Sequence, residues 1–507
     1  MRKRSSRDKA MSFDRRTLVS MSKSTLLLLS LLALSSGTAT AQETSAPDEL
    51  VDRLGRMLAR GSCLEVLEEL QTARSDFPSD PDLATFEANC RLHRARTATR
   101  VFEINRYDRE RVGRAGFPLD SEEMNAFYHT EMTYDESEKQ QALELFRTAA
   151  EQNPSREDLH VGAIAAFVAS GEFDTAITLL KNRKRPLSKP ALSDLGRIAQ
   201  DLIQADKIDR ARELAAAMAE KYPDASAVKI VNALVAIEDG QLVQAVRYFS
   251  EASSQSKGNQ ALAARTAWLS LMSRQWQQAV DLLTPMTGED LLFEAWFGIS
   301  RERLVPGSTK NVWPALSEKL AQAGHPEPRL TVLCTQMQRV LSSSRPPTAE
   351  MRLRGARLFQ KQGLFVGAIA EIDKALELDP DYVDAWLALA KIYRAESMYE
   401  LALEAIDNSI RAAAKSENGS SSYSVGELSR EKGRVLFALG RDEPALEALD
   451  AARKRGYDAP YVRGVIALQQ GDKKEAVSHF QAALDQGGME SEWAKAKLEM
   501  LSIGQDG

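Results

Sequence analysis

One feature constrains this chain more than any other: an alanine recurs at a nearly fixed step, usually with a large apolar residue four positions later. The anchors Ala142-x3-Phe146-x2-Ala149, Ala176-x3-Leu180, Ala211-x3-Ala215, Ala245-x3-Phe249-x2-Ala252 and Ala279-x3-Leu283 follow one another at 34, 35, 34 and 34 residues. Ala368-x3-Ile372-x2-Ala375 and Ala402-x3-Ile406-x2-Ser409 repeat the step of 34, and Ala445-x3-Leu449-x2-Ala452 and Ala476-x3-Phe480-x2-Ala483 follow at 43 and 31. Spacing of this kind is helical within each unit and periodic between units. An isolated antiparallel helix pair leaves an apolar face uncovered, so such units persist only by stacking. The expected fold is therefore all-α, a solenoid of stacked antiparallel helix pairs. Length agrees, since 507 residues at 43% apolar content exceed what one compact core usually organises. With 28 Gly and 18 Pro the chain is too poor in turn formers for an all-β fold, and its mean hydropathy of −0.34 excludes a polytopic membrane protein.

The clearest unit reads Trp386-x2-Leu389-Ala390-x2-Tyr393 before its Ala402 anchor, and the unit before it reads Gly355-Ala356-x2-Phe359 before Ala368. This pattern resembles the tetratricopeptide repeat, with Ala390 standing where that family commonly has Gly. Pro154, Pro223 and Pro380 fall where one unit must turn into the next. The resemblance covers residues 123 to 485, with Val66-x3-Leu70-x2-Ala73 and Pro78 as a degenerate first unit. It fades over Arg94–Asp120 and Asn311–Pro347, where helices are expected without a phase. The 43-residue step is assigned to an insertion at Lys415–Ser424, and the 31-residue step to a shortened turn around Gly456-Tyr457. Ser342-Ser343-Ser344-Arg345-Pro346-Pro347-Thr348 cannot continue a helix. The expected organisation is thus 42–120 as N-terminal capping helices with the degenerate repeat, 121–341 as a central array, 342–348 as a linker and 349–507 as a C-terminal array.

Residues 1–41 read as a signal peptide. Lys23 precedes the apolar core Leu26–Leu34, and Ala39-Thr40-Ala41 offers a cleavage point before Gln42. Met21 is an alternative start, and the first cysteine, Cys63, lies too far along for lipid attachment at the cleavage point. The mature chain is expected to be periplasmic or secreted, without membrane insertion. Residues 1–41 carry eight basic and two acidic side chains, so their removal takes the formal charge from −6 to −12. That sign argues against nucleic acid as a partner of the whole protein.

No nucleophile elbow, phosphate loop, zinc-protease motif or dinucleotide fingerprint is present, and Pro306-Gly307-Ser308-Thr309-Lys310 reads as a turn. His93, His129, His160, His325 and His479 stand in unrelated segments without ligand-spaced neighbours. No catalytic residue, metal or cofactor is assigned, and the chain is expected not to be an enzyme. Cys63, opening the second helix of the first unit, and Cys90, in the first helix of the next, are expected to form a disulfide in an exported chain, with two separate buried thiols as the alternative. Cys334 is expected to be a buried free thiol.

Tetratricopeptide arrays bind along the concave face made by their first helices. The alanine phase puts Arg357, Lys361, Lys391, Arg394, Arg430 and Arg434 on that stripe in the C-terminal array, beside Leu353, Gln360 and Leu387. Converging cations suit an acidic peptide or a chain-terminal carboxylate, in the manner of the carboxylate clamp of chaperone-binding members, although the Asn residues of such clamps are missing. The alternative is a solvated basic face. Replacing Lys391 and Arg394 together by Ala is expected to weaken binding by about 2 to 5 kcal/mol if the pair is buried on binding, with folding nearly unchanged. In the central array the same stripe is apolar, comprising Val161, Ala165, Val168, Ile230, Leu234, Ile237, Leu269 and Met272, and forms either an open groove or a self-filled interior. The expected function is a protein- or peptide-binding scaffold or adaptor of the cell envelope. The alternatives are a homo-oligomeric structural component and, more remotely, an enzyme with its site in segments 94–122 or 306–347.

Overall fold

A computed structural model describes residues 46–102 and 128–503, apart from 206, 257–258, 289, 323–327, 343–346, 416–422 and 488. The expected signal peptide, the charged connection at 105–120 and most of the insertion at 415–424 lie outside these residues. The described chain falls into two compact units, one comprising Tyr128–Val235 with the chain before Glu103, the other running on from Ala236.

The first unit opens with α1 (Asp48–Ala59), α2 (Cys63–Asp76) and α3 (Pro81–Ala95). Asp80 starts α3, its side chain accepting from the amides of Asp82 and Leu83, with Pro81 at the first helical position. The helices expected over 94–120 are not found in the described part of that segment: Arg96–Phe102 forms strand β1, antiparallel to β2 (Tyr128–Tyr134), with Arg96 opposite Tyr134 and Phe102 opposite Tyr128. The segment Arg96-Thr97-Ala98-Thr99-Arg100-Val101-Phe102 explains this, because β-branched and aromatic residues at alternate positions favour a pleated strand. The array resumes with α4 (Glu136–Gln152), α5 (Glu157–Ala169), α6 (Phe173–Asn182), α7 (Lys189–Gln204) and α8 (Ile208–Lys221). Next comes α9 (Ser226–Glu238), within which the unit boundary falls. Arg156, ahead of α5, reaches Asp82 of α3 at 2.7 Å and Asp158 at 2.6 Å, and so ties the capping helices to the array.

The second unit continues with α10 (Leu242–Gln255), α11 (Gln260–Met272), α12 (Trp276–Leu283), α13 (Leu291–Leu304), α14 (Val312–Gln322) and α15 (Pro328–Ser342). Beyond residue 346 follow α16 (Ala349–Lys361), α17 (Phe365–Leu378), α18 (Val383–Ala395), α19 (Tyr399–Lys415), α20 (Val425–Ala438), α21 (Asp442–Arg453), α22 (Pro460–Gln469), α23 (Lys473–Gln486) and α24 (Met489–Ile503). The described part of 311–347 is thus mostly helical, as expected.

All nine anchor alanines, from Ala142 to Ala476, are at most 1% exposed, which is the packing role their spacing implies. Twelve residues before its anchor, each C-terminal unit places a small residue: Ala356, Ala390, Gly433 and Gly464. A Cβ added to Gly433 would sit 2.6 Å from the Leu449 side chain, and one at Gly464 would sit 2.7 Å from Phe480, so the two helices of a pair meet at these points. The 31-residue step has a cause other than the expected short turn. The connection 454–459 is longer than the four residues between α17 and α18, whereas α21 and α22 have only 12 and 10 residues against 14 and 13 in α17 and α18.

Within the second unit the chain also packs on itself out of sequence order. Asp373 of α17, 6% exposed, accepts from Nη1 of Arg274 at 3.1 Å and lies 3.9 Å from Nε of Arg303. Burial pushes its carboxyl up from the usual range, against the pull of both guanidiniums. Tyr393 of α18 donates its hydroxyl to the carbonyl of Met272, 3.2 Å away. Helices on either side of the Pro-rich break therefore share one interior.

Candidate functional site

The six stripe cations are found on α16, α18 and α20, and the structure divides them. Arg394, Arg430 and Arg434 gather around one carboxylate, Glu431 of α20. Nη1 of Arg394 donates to it across the helix interface at 2.9 Å, Nη1 of Arg434 donates at 2.8 Å, and Nε of Arg430 lies 4.0 Å away. Arg434 also pairs with Glu490, in the first turn of α24. Burial alone would raise the carboxyl of Glu431, but Arg434, Arg394 and Arg430 outweigh it and hold the group below the ordinary carboxylate range. Arg434 is shifted upward: burial opposes its charge, and Glu431 and Glu490 more than restore it.

The remaining cations are more open to solvent. Arg357 is 48% exposed and donates to Asp384 at 3.3 Å. Lys391 is exposed, with its ammonium 5.3 Å from the centre of the Tyr423 ring. Lys361 is exposed at the last residue of α16.

Sequence reasoning missed Glu431 and Glu490. The signal for Glu431 was the run Arg430-Glu431-Lys432-Gly433-Arg434, in which an acid three residues before an Arg lies on its helix face. Glu490 had no such signal, since it lies 56 residues from Arg434. The expectation that Lys391 and Arg394 could be removed together with folding nearly unchanged meets a contact that argues the other way for Arg394. Removing it leaves Glu431, whose side chain is 15% exposed, short of a compensating charge.

The apolar stripe is largely covered. In the first unit Val161 and Val168 are buried, while Ala165, Ile230 and Leu234 are half-buried. In the second, Leu269 and Met272 are fully buried and Ile237 is half-buried. There the interior is filled by the unit's own helices, α18 reaching Met272 through Tyr393.

Cys63 and Cys90 are both free, buried and in one apolar cluster with Val66, Leu83 and Phe86. The neighbouring thiol pulls Cys63 below its usual value, while that neighbour and burial push Cys90 well up. Cys334 is free and buried, its thiol raised by burial. Among the described residues no group of three or more His, Cys, Asp or Glu is placed to hold a metal, and no helix is long and apolar enough to cross a membrane.

A cleft of about 750 Å³ opens in the second unit between α10, the α11–α12 turn and the α18–α19 pair. Gln241, Gln244, Gln275 and Gln278 line it, together with Arg247 and Arg274.

Stacked antiparallel helix pairs with buried small-residue anchors define an all-α solenoid. Residues 371–404 and 428–488 match family models described as tetratricopeptide repeat, and the chain carries such repeats there. A TPR repeat-containing protein of Methanocaldococcus jannaschii is 24% identical over 349 residues, which is 68% of this chain and 58% of that protein. The chain thus spans less than two thirds of that relative's length. Among solved structures, yeast Tom70 is 14% identical with a TM-score of 0.29, covering 90% of this chain and 96% of that one. The pilF protein of Pseudomonas aeruginosa is 12% identical with a TM-score of 0.19, covering 61% and 99%. Proteins built of these repeats generally serve as protein-interaction scaffolds and are typically non-enzymatic.

Proposed function

We propose that this chain is a non-enzymatic scaffold or adaptor of the cell envelope that binds an acidic peptide segment along the first helices of its C-terminal repeats. The observation that carries this reading is the gathering of Arg394, Arg430 and Arg434 around Glu431. Three guanidiniums with Glu431 and Glu490 leave one positive charge in excess on a surface already arranged to hold carboxylates. Arg357, Lys361 and Lys391 form the open rim that a partner's carboxylates meet. The division of labour follows from burial: the inner cations fix the helices, and the outer ones recognise. Placement outside the cytoplasm rests on the apolar core Leu26–Leu34 and the Ala39-Thr40-Ala41 that follows it.

The test is binding of a fluorescein-labelled acidic octapeptide to the full chain at low salt. Replacing Lys361 and Lys391 together by Ala should weaken binding by about 1 kcal/mol per rim charge, and added salt should weaken it further. Full affinity in the double variant at low salt would refute the reading.

A further inference from the structure

The three-residue turn inside a helix pair places its central residue in the left-handed region. Six described turns use Gly there, among them Gly240 (φ 73°) and Gly363 (φ 71°), whereas two use Arg274 (φ 61°) and Ser397 (φ 58°). A side chain in this conformation meets its own carbonyl, so sterics alone favour Gly. What Arg274 supplies is a guanidinium lining the cleft, anchored at 3.1 Å to the buried Asp373 and still 40% exposed. Backbone strain that coincides with a cavity and a fixed charged group marks a place where binding is built into the fold.

The walls indicate what binds. Gln241 and Gln244 face the cleft from α10 and the turn before it, and Gln275 and Gln278 from the other side. Three of these amides are held in place, Gln278 donating to the hydroxyl of Ser250 and Gln275 to that of Ser273, each at 2.9 Å, and Gln244 to that of Tyr248 at 3.1 Å. A carboxamide presents an acceptor and two donors, as a peptide unit presents both kinds, so such walls pair with main chain whatever its side chains. Arg247 and Arg274 are matched in charge by Glu251 and Glu404, so the cleft does not select a highly charged ligand. Val243, 65% exposed, and Leu401 give an apolar side chain something to rest on.

We propose that this cleft binds an extended, largely uncharged peptide segment by its main chain, with Arg274 holding a carbonyl oxygen. The site is lined chiefly from the second helices α10, α12 and α19; it meets α18 through Tyr393, and none of the six cations of the basic stripe lines it. It stands whether or not that stripe binds an acidic partner.

Random peptides displayed on phage are selected on the full chain, and the selected sequences are synthesised and titrated by fluorescence anisotropy. Val243→Arg, a surface change that fills the cleft, should weaken them at least about tenfold. Arg274→Gly, with its helicity checked by circular dichroism, should weaken them comparably, while Lys391→Ala should leave them unchanged. Failure to select any peptide, or equal affinity for wild type and Val243→Arg, overturns the proposal. Peptides lost with Lys391→Ala but kept by Val243→Arg overturn it too, and assign binding to the basic stripe.

Discussion

The capping end gives the sharpest test of the structure, through the oxidation of Cys63 and Cys90. Both thiols are buried in one apolar cluster, Cys63 at the first residue of α2 and Cys90 within α3. A bond between them would close a loop of 28 residues, and removing that loop's freedom from the unfolded chain stabilises the folded one by about 3 to 4 kcal/mol. The perturbation is reduction rather than mutation, because a buried Cys→Ser change adds a polar group of its own. The chain is incubated with oxidised glutathione, unfolded without reductant and alkylated, and its intact mass is measured. One alkyl group, mapped to Cys334, is expected. Hydrogen exchange of α1 to α3, compared before and after reduction, should then accelerate on the order of a few hundredfold, the equivalent of that free energy if the cap opens as a unit. Three alkyl groups after oxidation would refute the pairing. One alkyl group with unchanged exchange would refute the energetic argument alone.

Further outcomes follow from the buried charges and the close helix contacts. Glu431→Ala should destabilise the chain by about 3 to 5 kcal/mol in urea unfolding, since it leaves three guanidiniums without their shared carboxylate. Because the folded carboxyl of Glu431 is held low, its contribution is complete above its ordinary value of 4.5 and is lost as the pH falls through the lower folded value; unfolding followed from pH 6 to 3 checks this. Lys497, 1% exposed, has its ammonium pushed down by burial to about 7, so Lys497→Met should stabilise, with a ceiling on the order of 5 kcal/mol below that pH. Between about 7 and the ordinary value of 10.5 the unfolded wild type binds more protons than the folded one, so its stability rises with pH and the gain from Met shrinks; melts at pH 6.5 and 9.5 measure both. Gly464→Ala should cost about 1 to 3 kcal/mol, because its Cβ would lie 2.7 Å from Phe480, and a comparison with the open Gly162→Ala isolates the clash.

Much of the repeat architecture was legible in the sequence because the physics behind it is local and periodic. An anchor alanine must be small wherever two helices meet, so Ala142, Ala245 and Ala402 recur in step and are buried. Pro154 and Pro380 end units because no helix can continue through them. The hairpin of β1 and β2 escaped this reasoning: its strands are 25 residues apart in the chain, and only their pairing makes them strands. The periodicity also placed the six cations of the candidate stripe on first helices, yet it carried no information on what each would meet. Arg394 finds Glu431 37 residues on, and Arg434 finds Glu490 56 residues on. Arg274, which lines the cleft, meets Asp373 across 99 residues. The unit, its period and the side chains each helix offers were legible from residue order alone, because these depend on neighbours within about a dozen residues. Which charges are compensated, which thiols share a cluster and where a cleft remains emerge only in the folded chain, because burial and electrostatic pairing depend on distance through space rather than along the chain.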